Sequence, residues 1–237
     1  RLDMKNVLIC NNCGKENSFY QLTCSECKSF LRARIVNIDF WDTLWKLFYS
    51  PVIAARNIIQ AENKNFVATC AIITAIKFSL ISLILMNAFH TEGNGSYTFI
   101  NGVISGGIPF LVTVPIFALL ITILNKKYGI HSRIKDALSI YFFSFTPLIM
   151  TLLVLTPIQF ALFGEYWLTF NPSPFIVKPQ AALVIFIIEI LMYLWSAFLF
   201  ITSTYAQTKN LIYSLALGLI GFSGLTILMV YLSAFIN

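Results

Sequence analysis

The sequence predicts an all-α polytopic membrane protein: five transmembrane helices preceded by an interfacial amphipathic helix and a small cysteine-bearing head. Three observations predict it. Of the 237 residues, 58% are hydrophobic and 11% charged, with a mean hydropathy of +0.79, far outside the range of soluble domains. Five apolar stretches reach the ~20 helical residues that cross a hydrocarbon core. All five lie beyond residue 65, whereas four of the five cysteines lie within the first 27 residues. The expected division is a head over residues 1–39, a linker over 40–65 and a five-span domain over 66–237.

In the head, Cys10-Asn-Asn-Cys13-Gly14 and Cys24-Ser-Glu-Cys27 form two Cys-x-x-Cys pairs separated by ten residues. Each turn can aim two thiolates at one point, and two facing turns complete the four-sulfur tetrahedron that zinc prefers. Gly14 supplies the permissive backbone that closes the first knuckle. The same spacing admits two disulfides, but a cytoplasmic head keeps its thiols reduced and favours metal. We therefore expect a zinc ribbon with Zn2+ on Cys10, Cys13, Cys24 and Cys27. With no histidine or open ligand position nearby, the site is structural, and so short a head folds only with its metal.

The linker, FWDTLWKLFYSPVIAARNIIQAENK, joins a water-loving head to an apolar tail and has to sit where water meets lipid. Trp41, Trp45, Phe48 and Tyr49 are residues that settle at headgroup depth. Ser50-Pro51 reads as a helix start, serine capping and proline at the first helical position. The helix should run from Pro51 to about Asn63. Val52, Ala55, Ile58 and Ile59 share one face, with Arg56, Gln60, Asn63 and Lys64 largely on the other. That pattern fits a helix lying on a membrane, or one packed on protein.

The spans are expected near Phe66 to Phe89, Gly102 to Leu124, Ala137 to about Phe163, Gln180 to Ser203, and Leu211 to Phe235. The third is overlong, and Thr156-Pro157 should end its membrane part, leaving Ile158 to Trp167 along the outer surface. Gly106-Gly107, Pro109, Pro115 and Pro147 should kink the second and third spans. Basic residues set the orientation. Nine of sixteen precede the first span, Lys126, Lys127, Arg133 and Lys135 follow the second, and Lys178 and Lys209 occupy the last two loops. An inside amino terminus puts fourteen on the cytoplasmic side and one outside, with Lys77 in the membrane. The head is then cytoplasmic and the carboxyl terminus external. The sequence opens on Arg1 rather than methionine, which leaves room for a native start upstream. The first 65 residues hold no apolar run long enough for a signal peptide.

Lys77 and Glu189 fall near the middle of the first and fourth spans, at similar depth. Intramembrane charges pair or line a polar path, so they read either as a register-fixing pair or as an ion relay. Ser214, Gly218, Gly221 and Gly224 in the fifth span form a stripe of small residues, a seam within the chain or a face for a second copy. Catalysis lacks its parts: His90 and His131 fall on opposite sides of the membrane, Glu189 has no second buried carboxylate, and no phosphate-cradling loop or Gly-x-Ser-x-Gly elbow occurs. Cys70 reads as a packed or lipid-facing thiol.

Two segments carry a resemblance. WKLFYSPVIAARNIIQAENK, ahead of the first span, is similar to a lead-in of proline, then basic and apolar residues, then a small acidic helix. KDALSIYFFSFTPLIM, from Lys135 to Met150, resembles an alanine, tyrosine, Thr-Pro pattern opening a third span. From Trp41 to Asn237 the chain thus resembles the Yip family, the Ypt-interacting-protein domain of five membrane spans. The Asp-Leu-Tyr-Gly-Pro segment of its eukaryotic members is missing, so the resemblance carries no expectation of Rab-type GTPase binding. A zinc ribbon ahead of such a domain resembles prokaryotic members and implies residence in an inner (plasma) membrane and a partner-dependent role.

The expectation is thus a non-enzymatic membrane protein whose zinc ribbon docks a protein on the cytoplasmic side, with the linker coupling head to bilayer. Nine basic residues before the first span are offset by six acidic ones, so no nucleic-acid partner is expected. The alternative is a transporter or channel component built on Lys77 and Glu189, working as an oligomer or with a second subunit.

Overall fold

A computed structural model describes residues 6–89 and 97–235. His90 lies outside the described residues. The head opens with an antiparallel hairpin, β1 (Val7–Ile9) against β2 (Glu16–Ser18), with Leu8 opposite Asn17. Its turn is the first cysteine knuckle. A single bridge between Thr23 and Phe30 frames the second.

Two helices make the linker. The first, α1 (Phe40–Tyr49), is capped by Asp39, whose carboxylate accepts from the Asp42 amide at 3.0 Å. Leu44 and Leu47 turn inward, while Trp41, Trp45 and Tyr49, four residues apart, stay exposed. Phe48 stacks on Trp195 of the fourth span at 6.2 Å. The second, α2 (Pro51–Gln60), starts at Pro51, but the Ser50 hydroxyl makes no capping bond; only the Ser50 carbonyl joins in, accepting from Ile53 and Ala54 at 3.1 Å. It ends three residues before Asn63 because the chain there turns back on the head, Glu62 and Asn63 donating to Ile35 and Val36.

The apolar face of α2 does not lie on a bilayer. Ala54, Ala55, Ile58 and Ile59 are buried in the main core, against the fourth span and the helix Ile134–Ser144. The linker's outward apolar face belongs to α1 instead. Two short helices meeting at Ser50 let the chain bury one face and expose another, which a single helix from residue 51 could not do.

Among the described residues, five helices are long and apolar enough to cross a membrane: Val67–Phe89, Phe99–Lys127, Thr146–Phe163, Pro179–Thr208 and Leu211–Phe235. Rings from all parts of the bundle fill its centre. Phe78 stacks on Phe110 at 4.6 Å, Phe110 meets Phe145 edge-on at 5.0 Å, and Tyr141 and Phe222 close on Phe200 and Tyr193 at 4.6 and 4.9 Å. Such pairs add roughly 0.5–1.5 kcal/mol each beyond burial.

The prolines and glycines act locally. The second span takes a π-helical turn at Val103–Gly107, just before Pro109, with the Ile108 amide reaching back to Val103. The third breaks at Phe145, one residue ahead of Thr146-Pro147. It does not end at Thr156-Pro157. A second π-helical turn at Thr151–Leu155 absorbs the donor that Pro157 lacks, and the helix runs on to Phe163, where Gly164 at φ 59° stops it. Gln159, expected on the outer surface, is buried.

The stripe of the fifth span is shorter than its spacing suggested. Gly218 packs on Ile201, Gly221 on the Phe117 ring, and the Ser214 hydroxyl lies 2.9 Å from that of Thr208. Gly224 is outside the seam: a Cβ there would meet nothing within 4 Å. A close backbone-to-backbone crossing lies elsewhere, where Gly102 and Gly106 of the second span press on the carbonyls of Ser79 and Phe78 in the first. Gly106→Ala should therefore destabilise by roughly 1–3 kcal/mol through overpacking, whereas Gly224→Ala should leave thermal unfolding in detergent unchanged. Equal shifts would refute this crossing.

Candidate metal centre and its seat on the bundle

The two knuckles bring four sulfurs together. The Sγ atoms of Cys10, Cys13, Cys24 and Cys27 all lie within 4.8 Å of one another, close enough to share a metal ion. Local backbone explains it. In the first knuckle the Gly14 amide donates to the Cys10 carbonyl at 2.9 Å with Gly14 at φ 72°. In the second, Lys28 takes the same left-handed turn at φ 60° and donates to the Cys24 carbonyl at 3.2 Å. No glycine marks that second turn, so sequence could not announce it.

Neighbouring polar groups orient the sulfurs. Ser29 Oγ lies 3.1 Å from Cys10 Sγ and 3.0 Å from Cys27 Sγ. Its hydroxyl and amide hold the Cys27 thiol down at about 5, favouring the thiolate that binds metal. Asn17, buried in β2, donates to Cys24 Sγ at 3.5 Å and accepts from the Ser25 amide at 2.9 Å. Cys10 and Cys24 are buried and Cys13 is exposed. Cys70 lies apart, buried in the first span.

The head is seated on one end of the bundle. Asn6 donates to the carbonyls of Ala206 and Gln207, at the end of the fourth span, at 3.1 and 2.7 Å. Arg32 donates to Tyr20 and to Gln60 of α2, both at 2.9 Å. The centre of the seat is Asp136, 1% exposed at the start of the helix Ile134–Ser144. It accepts from Arg133 at 2.7 and 3.1 Å and pairs with Lys64 at 2.9 Å. The Arg133 guanidinium also lies over the Tyr20 ring, 3.9 Å from its centroid, joining head to bundle. Burial pushes the Lys64 ammonium below its usual range, and Asp136 opposes that shift. His131 lines a small hollow here with Asn6, Tyr20 and Gln207. Sequence reading missed this node; its signal was Arg133 three residues before Asp136, a helix-start pairing at the edge of the resemblance segment.

Within the bundle, Lys77 Nζ lies 2.5 Å from Glu189 Oε1 and 3.3 Å from Thr156 Oγ1. Gln159 Nε2 donates to the same Glu189 oxygen at 2.8 Å. Four polar side chains from three spans thus meet, two of them supplied by the stretch of the third span that the π-helical turn re-aims.

Comparison with protein-family models, with curated proteins and with solved structures found no match to this chain. Its site therefore rests on its own chemistry.

Removing the Asp136 carboxylate takes the only anionic partner among the described residues from the part-buried Lys64, which keeps the Ile58 and Ile59 carbonyls, and from Arg133, whose side chain is only a third exposed (32%). Asp136→Ala should destabilise by about 3 kcal/mol and free the head for proteolysis between residues 30 and 40. Arg34→Ala, which breaks an exposed pair with Glu62, should change neither. Limited proteolysis in detergent distinguishes the two; equal cleavage would remove Asp136 from the centre of the seat.

Proposed function

We propose that the chain is a non-enzymatic, Yip-like membrane scaffold whose four-cysteine head binds zinc and docks a cytoplasmic protein partner. The observation that carries it is the seat itself. A metal head clamped on the bundle end presents one fixed surface, and ordering entropy that a tethered module would lose on binding is already spent. Ile9 and Phe30 are 65% and 79% exposed on that head. Both flank the cysteines, Ile9 preceding Cys10 and Phe30 following Ser29, and exposed apolar side chains beside a rigid metal knuckle suit a protein partner. Four thiolates with no other ligand suit zinc in a closed structural site.

The orientation follows the basic residues. The head, the loop carrying Arg133 and the turn carrying Lys209 share one end of the bundle, which supports one basic, cytoplasmic end in a prokaryotic inner membrane.

Co-purification in mild detergent with metal analysis tests the reading. Wild type should carry about one zinc per chain and a stoichiometric protein. Cys24→Ser with Cys27→Ser should lose both, and Ile9→Asp with Phe30→Asp should lose the protein and keep the zinc. Associated proteins unchanged in both variants would sink the docking role. A second reading, transport past Lys77 and Glu189, has in its favour that Thr156 and Gln159 join the pair. Solute flux into vesicles that stops in Glu189→Gln would support it, and no flux under any gradient would end it.

A further inference from the structure

A cleft of about 210 Å³ lies between the first and fourth spans. Ile81 and Leu85 form one wall, Phe186 and Ile190 the other, and Lys77 and Glu189 the floor. Phe186 and Ile190 are 46% and 42% exposed at mid-span, so the cleft opens sideways, toward hydrocarbon. Trp167 closes one end. It sits on the short helix Tyr166–Thr169, which Asn87 of the first span holds through the Leu168 carbonyl at 2.9 Å.

The floor keeps hydrogen-bonding capacity that no described residue takes up. Glu189 Oε1 accepts from both Lys77 and Gln159, but among the described residues no donor reaches Oε2. Lys77, 3% exposed, uses two of its three ammonium protons, on Glu189 and Thr156. Lipid tails can supply neither hydrogen bond, and unmet polar groups in hydrocarbon are costly. A ligand that completes this floor must donate to a carboxylate and accept from an ammonium at one point. It must reach the site through apolar walls. It should also be uncharged, because the pair is already neutral and a further charge at this depth would be unbalanced.

A hydroxyl on a hydrocarbon body meets all these conditions. We propose that the cleft binds a neutral, membrane-dissolved lipid alcohol, its hydroxyl on Glu189 and Lys77 and its apolar body between Ile81, Leu85, Phe186 and Ile190. The space exceeds the ~150 Å³ hollow that admits benzene, so it encloses a ring or several methylenes and leaves the remainder in the bilayer. The π-helical turn of the third span contributes by bringing Thr156 and Gln159 against Lys77 and Glu189 from behind the floor, and such turns are frequent at functional sites. The proposal is independent of the head and its metal.

The test uses the full chain in phosphatidylcholine nanodiscs and a long-chain fatty alcohol bearing a photoactivatable diazirine. Labelling should concentrate on peptides covering residues 77–85 and 186–194. Unlabelled alcohol should suppress it, and an alkane of equal length should compete about tenfold less well, the usual worth of a hydrogen bond to a charged group. Ile190→Trp, which fills the cleft and leaves the ion pair, should abolish the labelling. The paired change Lys77→Met with Glu189→Leu strands no buried charge and is compatible with folding; in it, alcohol and alkane should compete equally. Labelling spread evenly over the lipid-facing sides of all five spans would overturn the proposal. So would equal competition by alkane and alcohol in the wild type, or labelling that persists in Ile190→Trp.

Discussion

The structure depends on one buried carboxylate. Asp136 is nearly inaccessible and draws together Lys64 from the end of the linker and Arg133 from the loop after the second span, while Arg133 lies on Tyr20 of the head. A charge so placed is tolerable only while its partners stay in reach. Arg133 is a neighbour three residues away, but Lys64 and Tyr20 come from distant parts of the chain, so the full set of contacts forms only when linker, loop and head are assembled together. The head gains a fixed position from a constraint that lies outside it.

Inside the bundle the polar inventory is handled by two devices. Hydroxyls fold back onto their own helices, Ser79 to Ala75, Thr122 to Ala118, Ser144 to Ile140 and Thr204 to Phe200, so the spans remain apolar outwardly while rich in serine and threonine. Some then bridge helices, as Ser144 does to Ser203 at 2.9 Å and Tyr141 to Thr204 at 3.1 Å. The π-helical turns are the second device. Each takes up a proline's missing amide without ending the helix, and each rotates the residues beyond it.

These devices explain what the sequence made legible. Hydropathy located all five spans, because length and apolarity are local properties. The four cysteines announced their cluster through spacing alone. The rest depended on three dimensions. Thr156-Pro157 looks like a stop because proline lacks a donor, yet a five-residue backward reach of the Thr156 amide keeps the helix going. The apolar face of α2 has the same periodicity whether lipid or protein covers it, and only the neighbouring helices decide. Gly224 shares the spacing of Gly218 and Gly221, but no neighbour comes close enough there to need a glycine. Gln159 offered the plainest missed clue, a lone amide in an apolar run.

The linker carries a mechanical consequence. The chain leaves the head at Ile35 to Ile38, makes α1 and α2, and returns beside its own point of departure. There Glu62 and Asn63 donate to Ile35 and Val36, and Asn65 exchanges two 2.8 Å bonds with Ile38. The loop is closed at its base like a clasp, with no slack between head and first span. A pull on the head loads those four bonds and passes directly to Val67 and the helix it begins, so the cysteine cluster and the bundle respond to force as one lever.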